Sequence, residues 1–216
     1  MIGSLLSRVM IHDSRVFILA FSVHCRRIFV LVFSVHGSPF TVHDIMLDKH
    51  ILVLGVGNIL LGDEGTGVRV IQKLEDEYVF SENVELYDGG TLGLRLLEPI
   101  CRSDSAIVID IVRAGGVPGT IYRIEQKDLP GKIPYKSSLH ELNIVETLIY
   151  AEELGNKPEA VVIGIEPGEW TSWSTELTEP VRNRMEDFVA AVLREIEKAG
   201  GSWKKTEQPV RTGRVV

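Results

Sequence analysis

Ile51-Leu-Val-Leu-Gly-Val56 runs directly into Gly57-Asn-Ile-Leu-Leu-Gly-Asp-Glu64-Gly-Thr-Gly-Val68, and the fold is decided in this passage. Six residues that are apolar or glycine, without polar alternation, read as a parallel strand buried on both faces. A glycine-rich loop follows. Asp63 and Glu64 then open a segment that places Val68, Ile71, Leu74 and Tyr78 on one helical face. Strand, loop and helix in this order form the unit from which doubly wound sheets are built.

The same grammar repeats toward the C terminus. Residues 84–87 read as a second strand, closed by Asp88-Gly-Gly-Thr91, and a helix follows through Leu94, Leu97 and Ile100. Residues 106–112 form a third, nearly all-apolar strand. Thr120-Ile-Tyr-Arg-Ile124 alternates apolar with polar residues, as an edge strand does. A loop with prolines at 130 and 134 precedes a helix over 139–154 and a fifth strand over 160–165, stopped at Pro167-Gly168. Val181, Met185, Phe188, Val189, Val192 and Ile196 lie at helical spacing, with Gly200-Gly201 as the stop. The expected architecture is a three-layer α/β domain over 46–200: a mainly parallel, twisted sheet of about five strands with helices on both faces. Residues 201–216 read as a polar, flexible tail.

Residues 1–45 have a different character. Phe17-Ile-Leu-Ala-Phe-Ser-Val-His24 nearly repeats as Phe29-Val-Leu-Val-Phe-Ser-Val-His36. The two apolar runs are interrupted by His24, Cys25, Arg26 and Arg27, and neither approaches the roughly 20 residues of a spanning helix. A targeting segment and a His-rich metal tract are two readings of this stretch. The preferred one is an atypical extension outside the native protein, with Met46 as the natural start.

The formal net charge is −7, and beyond residue 49 there are 18 basic and 27 acidic residues. Such a balance disfavours binding to a phosphate backbone, which needs clustered Lys and Arg. Two cysteines, without a CxxC pair, fit a reducing cytoplasm. No nucleic-acid or membrane partner is expected, and the chain should act as a monomer.

In a parallel sheet, ligands bind beyond the carboxyl ends of the strands. Glu64 lies there, after the first strand; its bland explanation is a first-turn acid that favours the helix dipole. Asp63 could be the N-cap of the same helix. Asp110 interrupts Ala106-Ile-Val-Ile-Asp-Ile-Val at the end of a strand that should be buried, where a bare carboxylate costs several kcal/mol. His140 is read as the only histidine of the domain, at a helix start. The topology brings Glu64, Asp110 and His140 to one edge. One imidazole and two carboxylates suit zinc, nickel or another divalent transition ion, with open positions left over. Asp88, in Asp-Gly-Gly-Thr, ends the second strand on the same side. Two other chemistries fare worse. Gly55-Val-Gly57 begins a dinucleotide fingerprint, but Leu60 stands where the third glycine belongs. Cys101 falls at the opposite edge from His140, and no G-x-S-x-G elbow occurs.

The ordered set formed by the 51–68 passage, Asp88-Gly-Gly-Thr91, Val108-Ile-Asp110 and Ser138-Leu-His140-Glu-Leu142 resembles the NiFe-hydrogenase maturation endopeptidases over about residues 50–200. The resemblance implies an enzyme that removes the C-terminal peptide of the hydrogenase large-subunit precursor after nickel insertion. It implies that Glu64, Asp110 and His140 act as metal ligands and catalytic residues, recognising nickel supplied by the precursor. Cadmium or zinc would be able to occupy the same site. Asp63 and Asp88 are candidate helpers. Two alternatives stand beside this reading: a non-catalytic metal-checking chaperone for the same precursor, and a nucleotide-binding α/β protein.

Overall fold

The structure is a computed structural model, and it describes residues 12–13, 16–23, 27–34, 41–46, 48–91, 93–129 and 139–207. The chain divides into two compact units, Met1–Asp48 and Lys49–Val216. In the first, β1 (His12–Asp13), β2 (Val16–Val23), β3 (Arg27–Ser34) and β4 (Thr41–Met46) form an antiparallel sheet in chain order. The two copies of the near-repeat pair with each other, so that Phe17 faces Phe33, Leu19 faces Leu31 and Phe21 faces Phe29. His24 and His36, weighed above as part of a metal tract, lie outside the described residues.

The second unit carries a five-stranded sheet built from β5 (Ile51–Val56), β7 (Val84–Gly90), β8 (Ser105–Ile111), β9 (Ile121–Glu125) and β10 (Glu159–Ile165). Their order is β7-β5-β8-β10-β9. All neighbours are parallel except β9, which closes one edge antiparallel to β10. The expected fold class and the alternating edge strand are therefore both present. The strand order reverses at β5 and β8, the kind of switch point where such sheets open a crevice at their carboxyl edge.

The sheet is buried on both faces because successive side chains alternate sides. Ile51, Val53, Ile107, Ile109, Ile163 and Ile165 pack with residues of α1 (Thr66–Glu77) and α5 (Met185–Ala199), among them Ile71, Leu74, Phe188 and Val192. Leu52, Leu54, Val108, Val112 and Val162 pack on the other face with Leu96 and with Ile100 of α2 (Leu97–Cys101), and with Ile144 and Leu148 of α3 (Leu139–Glu153). Each fully buried aliphatic side chain contributes about 1.5–3 kcal/mol relative to exposure. A short α4 (Glu179–Asn183) leads into α5, which stops at Gly200 as expected from the sequence.

Two strands of the second unit are absent from the sequence reading, as are the four strands of the first unit. Tyr78, assigned there to a helical face, opens β6 (Tyr78–Phe80). Trp203–Lys205, assigned to the flexible tail, forms β11 and pairs antiparallel with β6. The Trp203 ring meets the Tyr78 ring edge-on at 5.4 Å, and this aromatic contact holds an otherwise polar strand. Among the described residues no helix is long and apolar enough to cross a membrane.

Candidate functional site

Glu64 sits in a 3-10 turn, Gly62–Gly65, between β5 and α1, and all four residues of the turn are buried. The turn is held close to the sheet by glycines that let backbone approach backbone. At Gly67, a Cβ would stand 2.2 Å from the Ile109 carbonyl oxygen and 2.3 Å from that of Val56. Gly57, at φ +129°, has room for no side chain beneath the Glu64 carbonyl. The start of α1 therefore lies directly on the ends of β5 and β8, and it brings Glu64 to the carboxyl edge, 6% exposed.

Asp110 occupies the penultimate position of β8 and is 4% exposed. It stands two residues from both Val108 and Val112 and so shares their face of the strand, the face covered by α2 and α3. One carboxylate oxygen accepts the Ile111 amide at 2.7 Å. Oε2 of Glu64 and Oδ2 of Asp110 are both shut off from bulk solvent.

His140 is the second residue of α3. A helix that feeds parallel β10 begins at the carboxyl edge, so its backbone stands at the same end of the sheet as Glu64 and Asp110. Its side chain lies outside the described residues, as does the adjoining Ser137-Ser138. Among the described residues no three His, Cys, Asp or Glu side chains gather as metal ligands.

A count by packing corrects one sequence-based expectation. The unit begins at Lys49, so His140 shares it with a second histidine, His50. That residue stands at the amino edge, with Nε2 3.0 Å from Glu85 and its backbone amide donating to Asp104. It is remote from Glu64 and Asp110 in the topology. Cys101 ends α2 ahead of β8, also at the amino edge, and burial pushes its thiol pKa up.

Asp63 is not an N-cap. The turn that contains it has no side-chain cap, and its carboxylate reaches the 168–178 segment instead. Asp88 lies inside β7, which continues to Gly90, rather than in a turn after the strand. Its Oδ1 accepts the Gly90 amide at 3.1 Å, and the Gly90 carbonyl in turn accepts the Gly57 amide.

Glu166 is a residue that sequence reasoning passed over. It follows β10, is 6% exposed, and accepts the amides of Ala114 and Gly115 and the hydroxyl of Tyr122. Burial, then the Glu166 carboxylate, raise the Tyr122 pKa. The signal was available: Glu166, like Asp110, is an acid at the end of an apolar strand. The loop it holds also carries Arg113, whose guanidinium lies 5.0 Å from the Trp170 ring centre.

The glycine loop offers little to a nucleotide phosphate. The Leu60 amide donates to the Asn58 side chain, Leu61 to the Asn58 carbonyl, Gly62 to Ser174, Asp63 to Glu169 and Glu64 to Leu61. A phosphate cradle needs such amides pointed at the ligand.

A family model described as HycI, hydrogenase maturation protease, matches residues 68–195. The hydrogenase expression/formation protein HupD of Thiocapsa roseopersicina is 36% identical over 155 residues, covering 71% of this chain and 70% of that protein. The hydrogenase 2 maturation protease of Escherichia coli K12 is 36% identical over 152 residues, 69% of this chain and 92% of that protein. Among solved structures, the hydrogenase maturating endopeptidase HybD of E. coli superposes with a TM-score of 0.68 at 32% identity, covering 72% of this chain and 97% of that one.

Proposed function

This chain belongs to the hydrogenase maturation protease family, and on that premise we propose that it removes the C-terminal peptide of a NiFe-hydrogenase large-subunit precursor once nickel is in place. The chain is a peptidase. In the proposed reaction Glu64, Asp110 and His140 recognise the nickel that the precursor carries. The observation that supports this is the pair of buried carboxylates, Glu64 and Asp110, on separate elements at the carboxyl edge of one sheet. Burying a carboxylate is costly, and a cation arriving with the substrate offsets that cost. Carboxylate and imidazole together suit nickel, and zinc or cadmium would serve as stand-ins. Metal held this way supplies Lewis-acid polarisation or a more acidic water, while the protein ligands fix its position relative to the peptide bond. The proposal has the protein acting in the cytoplasm, as a monomer, on a protein partner.

The purified chain, mixed with nickel-loaded and nickel-free large-subunit precursor, tests the reading. A shortened large subunit only in the nickel-loaded reaction is expected. Equal cleavage of both precursors would refute metal recognition, and a stable uncut complex would favour the chaperone alternative.

A further inference from the structure

Asp63 is fully buried and accepts four hydrogen bonds from one distant stretch of chain. Thr178 donates its amide to Oδ1 at 2.8 Å. Oδ2 accepts the Gly168 amide at 2.8 Å, the Glu169 amide at 3.1 Å and the Thr178 hydroxyl at 2.7 Å. A carboxylate offers about four lone-pair sites, and three of these four bonds converge on Oδ2. The Asp63 side chain is thus tied to the 168–178 segment. Thr178 shows the same commitment from the other side. It holds the N-cap position of α4, where a threonine ordinarily caps its own helix, yet its hydroxyl goes to Asp63.

We propose that Asp63 is a positioning residue for the reaction: its carboxylate latches the 168–178 segment onto the turn that carries Glu64. The role rests on the reading of Glu64 given above. Backbone bonds reinforce the latch: the Asp63 amide donates to Glu169, Gly62 to Ser174 and Ser174 to Leu60. The same segment carries Trp170, stacked under Arg113, three residues beyond Asp110. Glu166 fixes the loop of Arg113 through the two amides that follow it. A chain of contacts thus runs from the Glu64 turn through Asp63, the 168–178 segment, Trp170 and Arg113 to the exit of the Asp110 strand. A four-residue 3-10 turn without a side-chain cap has little rigidity of its own. Its position is set by what holds it from outside, and Asp63 is the adjacent residue, so a shift of the latch is a shift of Glu64.

The test compares Thr178→Val, which removes the hydroxyl donor, with Thr178→Ser, which keeps it. Both are made in the full chain and assayed on nickel-loaded large-subunit precursor with kcat, KM and melting temperature measured. A positioning role lowers kcat of Thr178→Val about tenfold, within the range that a sub-ångström to ångström misplacement produces. KM stays within about twofold of wild type, and Thr178→Ser restores kcat, because an interaction that matters only in the transition state moves kcat alone. A Thr178→Val protein that melts earlier but keeps wild-type kcat per folded molecule overturns the proposal. Glu64→Gln is run alongside. If it processes normally, the reading of Glu64 itself has failed; if it is inactive while Thr178→Val is normal, that reading stands and the latch does not. Asp63→Asn adds a donor where four donors already converge, and is the harsher variant; the threonine pair decides the matter without it.

Discussion

Gly67, in the first turn of α1, lies against the carbonyl oxygen of Ile109, so that a Cβ at position 67 would stand 2.2 Å from it. The contact joins the element that carries Glu64 to the strand that carries Asp110. Gly67→Ala is expected to force the start of α1 away from β8, since the obstructing atoms, the Ile109 carbonyl oxygen and the Val56 carbonyl oxygen and nitrogen, are backbone and cannot rotate aside. Overpacking of this kind costs about 1–3 kcal/mol. Thermal denaturation should show the loss, and precursor processing should fall more than the folded fraction does. Wild-type processing in a stable Gly67→Ala protein would show that the Glu64–Asp110 geometry does not depend on this contact.

Glu64→Gln, Asp110→Asn and His140→Ala are each expected to lower processing of nickel-loaded precursor by about 100-fold or more, as misplacing a reacting group does. Titration of each variant with nickel or cadmium should show weakened binding beside the wild type. An active His140→Ala protein would remove the imidazole from the site.

Far from this edge, Glu195 of α5 takes both Nε and Nη2 of Arg123 on β9, at 2.9 and 2.7 Å. The Arg123 bonds, aided by Lys198 against the opposing effect of burial, lower the Glu195 pKa. A carboxylate whose pKa is lowered on folding stabilises the fold above its unfolded value, and the contribution disappears as pH falls through the folded value. Arg123 is 42% exposed at its side chain, so solvent screening keeps the pair to on the order of 1 kcal/mol. Glu195→Gln should therefore melt earlier than wild type at pH 7, and the difference should close in acid. A gap that widens in acid would contradict the assignment.

Deletion of residues 1–45 is expected to leave the melting temperature and processing rate of the remainder unchanged. The packing boundary falls at Lys49, and the family match begins at residue 68. Aggregation or loss of cleavage in the shortened chain would show that the four-stranded unit contributes to the fold or to the reaction.

Sequence alone determined the layers of this protein. Runs such as Ile51–Val56 and Ser105–Ile111 announce buried parallel strands because local periodicity depends only on neighbouring residues. Asp110 was legible for a related reason: a charge inside an apolar run is conspicuous whatever surrounds it in space. Glu64, beside the glycine loop, was legible from the strand-loop-helix order. Only the tertiary structure decided the partners of Asp63 and Glu166. In sequence Asp63 looks like a helix cap; in the fold its partner is Thr178, 115 residues away. The pairing of β6 with β11 was hidden in the same way, since Trp203 marks a strand only once Tyr78 lies beside it. Helix and strand patterns are written in steps of two to four residues, whereas a buried hydrogen-bond partner is chosen by where the whole chain closes.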